Sequence, residues 1–375
     1  MRNRDAVLDQ RLMKSDTAVY EKDLDIVDPI SALWIEFDCP NGTTSNKANL
    51  LENIVTKIEI VDGSEVLCSL NQFELEALQF YKTGKFPAIF PSEWASKYNK
   101  TGAYLLFGRY LWDQQFAFDP AAFRNPQLKI TLNKAAVRAA SDTTAFHTGD
   151  NIAVTVVAKI MENMGSRPSR YLMPRSINRW TSATSGERRI ELPTDYPYRM
   201  MLLRGYVTAE DINDVFTYLK ITCDTDKYVM LNRIVRDLDS EAQAQFGVGR
   251  VKHDIFCSNG ETVQLVFNKD PGCSLWLSDA GCADIIQKVW EWSSEIFVGL
   301  YTHAGAVDDT DRNITMVEEG HAPYSIIPIP FGLMDEESTW FNPREYGKIE
   351  AIVTEGKAAT CGILLEQVRP NVKIG

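Results

Sequence analysis

The feature that most constrains this chain is that its second half restates its first. Val55-Thr56-Lys57-Ile58-Glu59-Ile60 alternates as a strand does, turns at Asp62-Gly63, and leads into a helix-spaced segment ending near Phe80. Thr217-Tyr218-Leu219-Lys220-Ile221-Thr222 starts the same series, turns between Asp224 and Lys227, and leads into a helix-spaced segment ending at Phe246-Gly247. A second echo follows. Phe107-Gly108, Asp113 and Phe118-Asp119-Pro120 precede the strand Leu128-Lys129-Ile130-Thr131. Phe331-Gly332, Asp335 and Phe341-Asn342-Pro343 precede the strand from Lys348 to Val353. A repeat of this period in a β-rich chain predicts two copies of one β-domain, because each copy must close its own apolar face.

The totals agree. A chain of 375 residues is long for one core and natural for two. A net charge of −12 argues against specific nucleic-acid binding. No apolar run is long enough for a membrane-spanning helix, and Met1 to Asp25 lacks the apolar core of a secretion signal. Seven cysteines without a C-x-x-C pair read as buried thiols of a reducing cytoplasm.

Residues 1–27 are polar and carry charges of both signs. They read as an N-terminal arm or short helix, with Leu8, Leu12 and Met13 on one stripe. Residues 28–163 hold strand patterns interrupted by a helix, with Ser69 as its expected cap and Gly84 as its stop. Residues 164–197 read as an arginine-rich linker broken by Pro168, Pro174, Pro193 and Pro197. Residues 198–375 restart the strands. Their helix is expected to be capped at Asp237 or Asp239 and stopped at Gly247. An insertion at about 270–325 has no equal in the first half, and Ala283 to Phe297 fits helix or strand. The fold class is therefore all-β: two tandem eight-stranded jelly-roll β-sandwiches, each with one short helix and long loop insertions.

This layout resembles the double jelly-roll major capsid proteins of the tectivirus- and adenovirus-like lineage, in the form found in viruses of bacteria or archaea. The residues that carry the resemblance are Val55 to Ser64, the Phe118-Asp119-Pro120 and Phe341-Asn342-Pro343 echo, and Ile363-Leu364-Leu365-Glu366-Gln367-Val368-Arg369. It implies a structural protein of the virion shell, assembled in the host cytoplasm as homotrimers of pseudo-hexagonal outline. It implies further copies of the chain as lattice partners, with other capsid proteins at the vertices and an internal lipid membrane below. On that reading Arg2, Arg4, Arg11, Arg167, Arg170, Arg175 and Arg179 are candidates for contact with a neighbour or an anionic membrane, where a basic residue contributes about 1 kcal/mol. Trp276, Trp290 and Trp292 are candidate interface aromatics.

Catalytic constellations are missing from the sequence. His147, His253, His303 and His321 are scattered, and no H-E-x-x-H, phosphate loop or G-x-S-x-G elbow occurs. Asp309, Asp311 and Asn313 open like a calcium loop, but Ile314 and Gly320 stand where Gly and Glu are required. No enzyme, cofactor or metal is expected. Two rival readings use other features: a carbohydrate-binding tandem sandwich built on the tryptophans of the insertion, and a glycan hydrolase with two carboxylates in a cleft.

Overall fold

The computed structural model describes residues 1–42, 50–90, 96–140, 146–149, 151–207, 210–257, 263–265, 269–277, 285–292, 295–302 and 312–372, with the backbone alone for 88–90, 139–140 and those of 251–318. The first half runs β1 (Arg2–Lys14), β2 (Thr17–Asp23), β3 (Ile30–Pro40), β4 (Val55–Asp62), β5 (Glu65–Leu70), α1 (Gln72–Thr83), β6 (Ala88–Phe90), β7 (Tyr98–Leu106), β8 (Pro126–Asn133), α2 (Lys134–Ala140) and β9 (Ile152–Glu162). One sheet has the order β1-β9-β3-β7-β6, and the facing strands have the order β2-β8-β4-β5. Leaving out the short β6, strand one pairs with eight, eight with three, three with six, and two with seven, seven with four, four with five. That is the winding of a jelly roll.

The second half runs β10 (Arg170–Thr181), β11 (Gly186–Leu192), β12 (Tyr198–Tyr206), α3 (Ile212–Val215), β13 (Phe216–Cys223), β14 (Tyr228–Ile234) and α4 (Val235–Phe246). An excursion follows: β15 (Gly249–Cys257), β16 (Val263–Leu265), β17 (Lys269–Leu277), β18 (Ile285–Trp292), β19 (Glu295–Thr302) and β20 (Arg312–His321). The chain ends with β21 (Ile326–Pro330), β22 (Ile349–Glu355) and β23 (Thr360–Pro370). The orders β10-β23-β12-β21 and β11-β22-β13-β14 repeat the winding of the first roll. The excursion forms two separate three-stranded sheets, β15-β20-β17 and β16-β19-β18.

Side-chain alternation explains the sandwiches. In β8, Leu128, Ile130 and Leu132 are buried while Gln127, Lys129 and Thr131 are partly exposed, as a period of two requires. Each fully buried aliphatic side chain contributes about 1.5–3 kcal/mol. β12 and β23 break the pattern. Met200 to Leu203 and Cys361 to Arg369 are buried without interruption, because both faces of these strands are covered.

Several irregularities recur at equivalent residues of the two rolls, although the shift in β1 between Asp9 and Leu12 has no counterpart in β10. A bridge joins Ile30 to Phe118 in one and Tyr198 to Phe341 in the other. The register shift of β1 on β9 between Val7 and Asp9 recurs in β10 on β23 between Ser176 and Asn178. That of β3 on β9 between Ile30 and Ala32 recurs in β12 on β23 between Tyr198 and Met200. That of β4 on β5 between Ile60 and Val61 recurs in β13 on β14 between Ile221 and Thr222. These bulges fix the equivalences Ala6 with Arg175, Trp34 with Leu202, Glu36 with Arg204, Lys159 with Glu366, and Ser69 with Asn232. The Phe118 and Phe341 echo has the same cause. Asp119 and Asn342 each accept a backbone N–H, from Ala121 at 3.2 Å and Arg344 at 3.4 Å, and so open a short turn begun by proline.

Several expectations need correction. The arm or helix at 1–27 is instead β1 and β2, and the linker at 164–197 is instead β10 and β11. These are the same two strands of the two rolls. The insertion begins at β15, ahead of the expected start at about 270, and Ala283 to Phe297 is strand wherever it is described. The cap of α1 is Asn71, not Ser69. Its side chain accepts from Glu74 N–H at 2.8 Å, and the Glu74 carboxylate accepts from Asn71 N–H at 2.8 Å, a reciprocal capping box. The helix stops at Gly84, whose φ of 66° is the left-handed conformation that favours glycine. α4 begins at Val235, and Asp239 is a buried residue within it rather than a cap. The four cysteines with described side chains, Cys39, Cys68, Cys223 and Cys361, are buried free thiols.

Candidate functional site: the seam between the rolls

One eight-stranded sheet crosses from roll to roll in the order β2-β8-β4-β5-β10-β23-β12-β21. The crossing is a single parallel bridge from Arg175 on β10 to Ser69 on β5. Beside it, α1 lies against the outer face of the second roll. Met173, Met200, Leu202, Tyr324, Ile326 and Leu364 project from that face and join the apolar core of the first roll, while Met201, Leu203, Ile363 and Leu365 project the other way into the second core. The first ten residues of α1 are consequently all buried.

Charged groups lock this seam. Glu366 is fully buried, with one carboxylate oxygen on Lys82 of α1 and the other on Arg199 of β12. Lys82 also donates to Leu106 O at 2.9 Å, and Arg199 to Met334 O at 2.9 Å, with its guanidinium 5.7 Å from the centre of the Trp340 ring. Burial pushes the Glu366 carboxyl up, but the two cations outweigh it and hold the group below the usual carboxylate value. Arg179 donates to Glu74 at 2.8 Å, so the acid that completes the capping box of α1 also ties the helix to β10. Arg204 sits 4.4 Å from the centre of the Phe73 ring.

Glu76 is the second buried acid of α1. Gln72 donates to it at 2.7 Å, Thr101 at 2.6 Å, and the Tyr324 hydroxyl from across the seam. Burial and the nearby Glu52 push its carboxyl up to about 8. A groove of about 430 Å³ opens at the end of the seam, between Glu52, Phe73, Glu74, Arg179, Trp180 and Arg204.

The structure separates the arginines that the sequence grouped. Arg175 and Arg179 belong to the seam, with Arg175 paired to Asp195 at 2.9 Å. Arg2, Arg4, Arg167 and Arg170 lie at equivalent ends of the two rolls, at or just before the starts of β1 and β10. Arg4 pairs with Glu162, Arg167 with Asp119 at 2.6 Å, and Arg170 with Glu337 at 2.6 Å. Arg11 pairs with Asp38 at 2.6 Å. Trp276 stands on β17, and Trp290 and Trp292 on β18; their side chains fall outside the described residues, as does the acidic segment from Asp308 to Asp311. Of the histidines, His147 is exposed and His321 is buried 3.3 Å from Asp239.

Sequence reasoning did not find Lys82, Glu366 or Arg199. The available signal was a glutamate inside the apolar run Gly362 to Val368, because a charge in a doubly buried strand needs a partner.

No family model matches the sequence, and no curated protein resembles it significantly. Solved structures do resemble its fold along nearly the whole chain. The atomic structure of Sulfolobus Turreted Icosahedral Virus contains a chain that matches with a TM-score of 0.58 at 13% identity, over 98% of this chain and 90% of that one. The major capsid protein of bacteriophage PM2 matches with a TM-score of 0.55 at 10% identity, over 98% of each chain. The PBCV-1 virus capsid matches with a TM-score of 0.57 at 10% identity, over 98% and 93%. The fold of this chain is the double jelly roll.

Proposed function

We propose that the chain is a structural major capsid protein that forms the shell of an icosahedral virion, without catalytic activity of its own. The observation that carries this reading is the seam. Two complete jelly rolls are held rigidly side by side through a shared sheet and a buried ion triad, in an arrangement that solved virus shell proteins match end to end. A binding protein with two independent modules has no need of such a junction, whereas a tile does.

Three copies then give six rolls in a ring, a pseudo-hexagonal capsomer built by a head-to-tail contact. The end that carries Arg2, Arg4, Arg167 and Arg170 also carries Pro370, the end of the last strand. It is the proposed base of the capsomer, facing a neighbour or the headgroups of an internal membrane, with vertex proteins as further partners. The excursion between α4 and β21 is the proposed outer tower. Negative-stain electron microscopy with mass determination tests the reading. Ring-shaped particles of three times the 42.3 kDa chain mass support it, and a compact monomer at every concentration overturns it.

A further inference from the structure

The intact repeat makes the seam a template. α1 and α4 are both twelve residues long and end at Gly84 and Gly247, and the equivalence of Ser69 with Asn232 aligns them residue for residue. Both bury a leucine at the fourth position, Leu75 and Leu238, and an acid at the fifth, Glu76 and Asp239. They differ on the outer face. In α1 that face is buried under the second roll; in α4, Arg236, Asp237, Ser240, Glu241, Ala244 and Gln245 are exposed.

The matching acceptor is on the first roll. Where the second roll presents Leu202 and Leu364 to α1, the first presents Trp34 and Val157, both partly exposed. Trp34 and Tyr104 pair at 4.8 Å between ring centres. The indole packs so close to Gly102 that a Cβ there would sit 2.6 Å from it. Glu36, held by Lys100 at 3.0 Å, and Lys159, held by Asp5 at 2.6 Å, flank the rings.

We propose that α4 and the exposed edge strand β14 of one subunit dock onto this Trp34–Tyr104 face and β1 of a second copy of the same chain. The proposal rests on the capsid reading and specifies its interface. The chemistry at equivalent positions favours a second copy as the occupant. Where Phe73 meets Arg204 inside the chain, Arg236 meets Glu36 of the next copy, an ion pair. Where Lys82 meets Glu366, Gln245 meets Lys159, an amide oxygen facing an ammonium. Where Glu74 meets Arg179, Asp237 meets the bulge between Asp9 and Leu12 that holds Gln10 and Arg11. None of these three pairs brings like charges together; Asp237, at the position of Glu74, does come near Glu36, at the position of Arg204, with Arg236 as the cation between them. The bridge from Arg175 to Ser69 becomes Ala6 against Asn232, so β14 gains the partner that β5 already has.

The test is charge reversal at the one ion pair, read by sedimentation velocity on the full chain. Glu36→Arg and Arg236→Glu are each expected to weaken trimer formation about tenfold or more, and the double variant is expected to restore it. Circular dichroism confirms that each monomer is folded. Trp34→Ala, which removes the aromatic patch without adding a charge beside Glu36, is expected to leave a folded monomer. Trimers of unchanged stability in all three single variants overturn the assigned surface while leaving the capsid reading intact. A wild-type chain that never trimerises overturns the capsid reading itself.

Discussion

Removing the Glu366 carboxylate tests whether the seam is an electrostatic lock. Glu366 and Lys82 are completely buried and Arg199 is 2% exposed. Glu366→Gln therefore leaves two cations in the interior with no anion between them. Stranding buried charge by deleting its partner costs about 3–5 kcal/mol. Their bonds to Leu106 O and Met334 O survive the substitution and place the expected loss near the lower end of that range. Lys82 offers a further escape: burial already lowers its pKa, and without Glu366 it can shed its proton. A lysine whose folded pKa lies below its unfolded value binds fewer protons folded than unfolded, so stability rises with pH until the unfolded lysine titrates. The variant should thus regain stability as pH rises toward the ordinary lysine value of 10.5, below which the unfolded chain stays protonated. Glu366 itself has the same sense over a more acidic range. Its folded pKa is depressed, so its contribution is present above the ordinary value of 4.5 and is lost as pH falls through the folded value. Urea unfolding at fixed protein concentration, followed by circular dichroism, reads both. Replacing all three with Lys82→Met, Arg199→Met and Glu366→Leu should return most of the loss, because an apolar triad strands no charge. A loss under about 1 kcal/mol in Glu366→Gln, flat with pH, refutes the reasoning.

Two further outcomes follow from the same helix. Glu76 is held near 8, above its ordinary value of 4.5, so the folded state favours its protonated form and stability should fall as pH rises from 4.5 through 8; thermal melts of Glu76→Gln should lose that slope, and an unchanged slope would assign it elsewhere. Gly84→Ala places a Cβ at φ 66° with nothing within 4 Å to clash, so the cost is backbone strain alone, about 1 kcal/mol, checked by the shift in urea midpoint.

What the sequence disclosed and what it hid follow one physical line. The strands deep in each sandwich, such as Ile58 and Ile60 of β4 or Ile349 and Ala351 of β22, bury one face against the opposite sheet and so show their period in the sequence. The first two strands of each roll escaped notice. β1 sits at an edge, and its side chains are mostly exposed and form ion pairs such as Asp5 with Lys159, leaving no apolar alternation to read. β10 is covered by the first roll but carries Pro174 and four partly exposed residues from Arg175 to Asn178. Proline and arginine suggested a linker, yet the strand hydrogen-bonds along its length to β23. The same omission in both halves was itself a clue, since a jelly roll lacking its first two strands cannot complete either sheet. The seam was hidden for a different reason. Lys82, Arg199 and Glu366 are far apart in the chain, and only the packing of two finished rolls brings them together.

The two contacts that the repeat generates face different demands, and their residues differ accordingly. The seam inside the chain forms between rolls already tethered by covalent bonds, at an effective concentration that linkage keeps high. It can carry a buried Lys-Glu-Arg triad whose desolvation is costly, because neither roll ever exists alone. The proposed contact between copies must form from two surfaces that are first solvated. At the positions equivalent to Lys82, Glu366 and Phe73 it carries Gln245, Lys159 and Arg236, of which Gln245 and Arg236 are exposed and Lys159 is 15% exposed. Pairs that keep access to water are worth about 1 kcal/mol or less, and screening by salt weakens them further. A capsomer built this way should open between subunits before it opens between rolls. Under rising salt or urea, trimer dissociation read by sedimentation should therefore precede unfolding of the chain read by circular dichroism, and a simultaneous loss of both would refute that order.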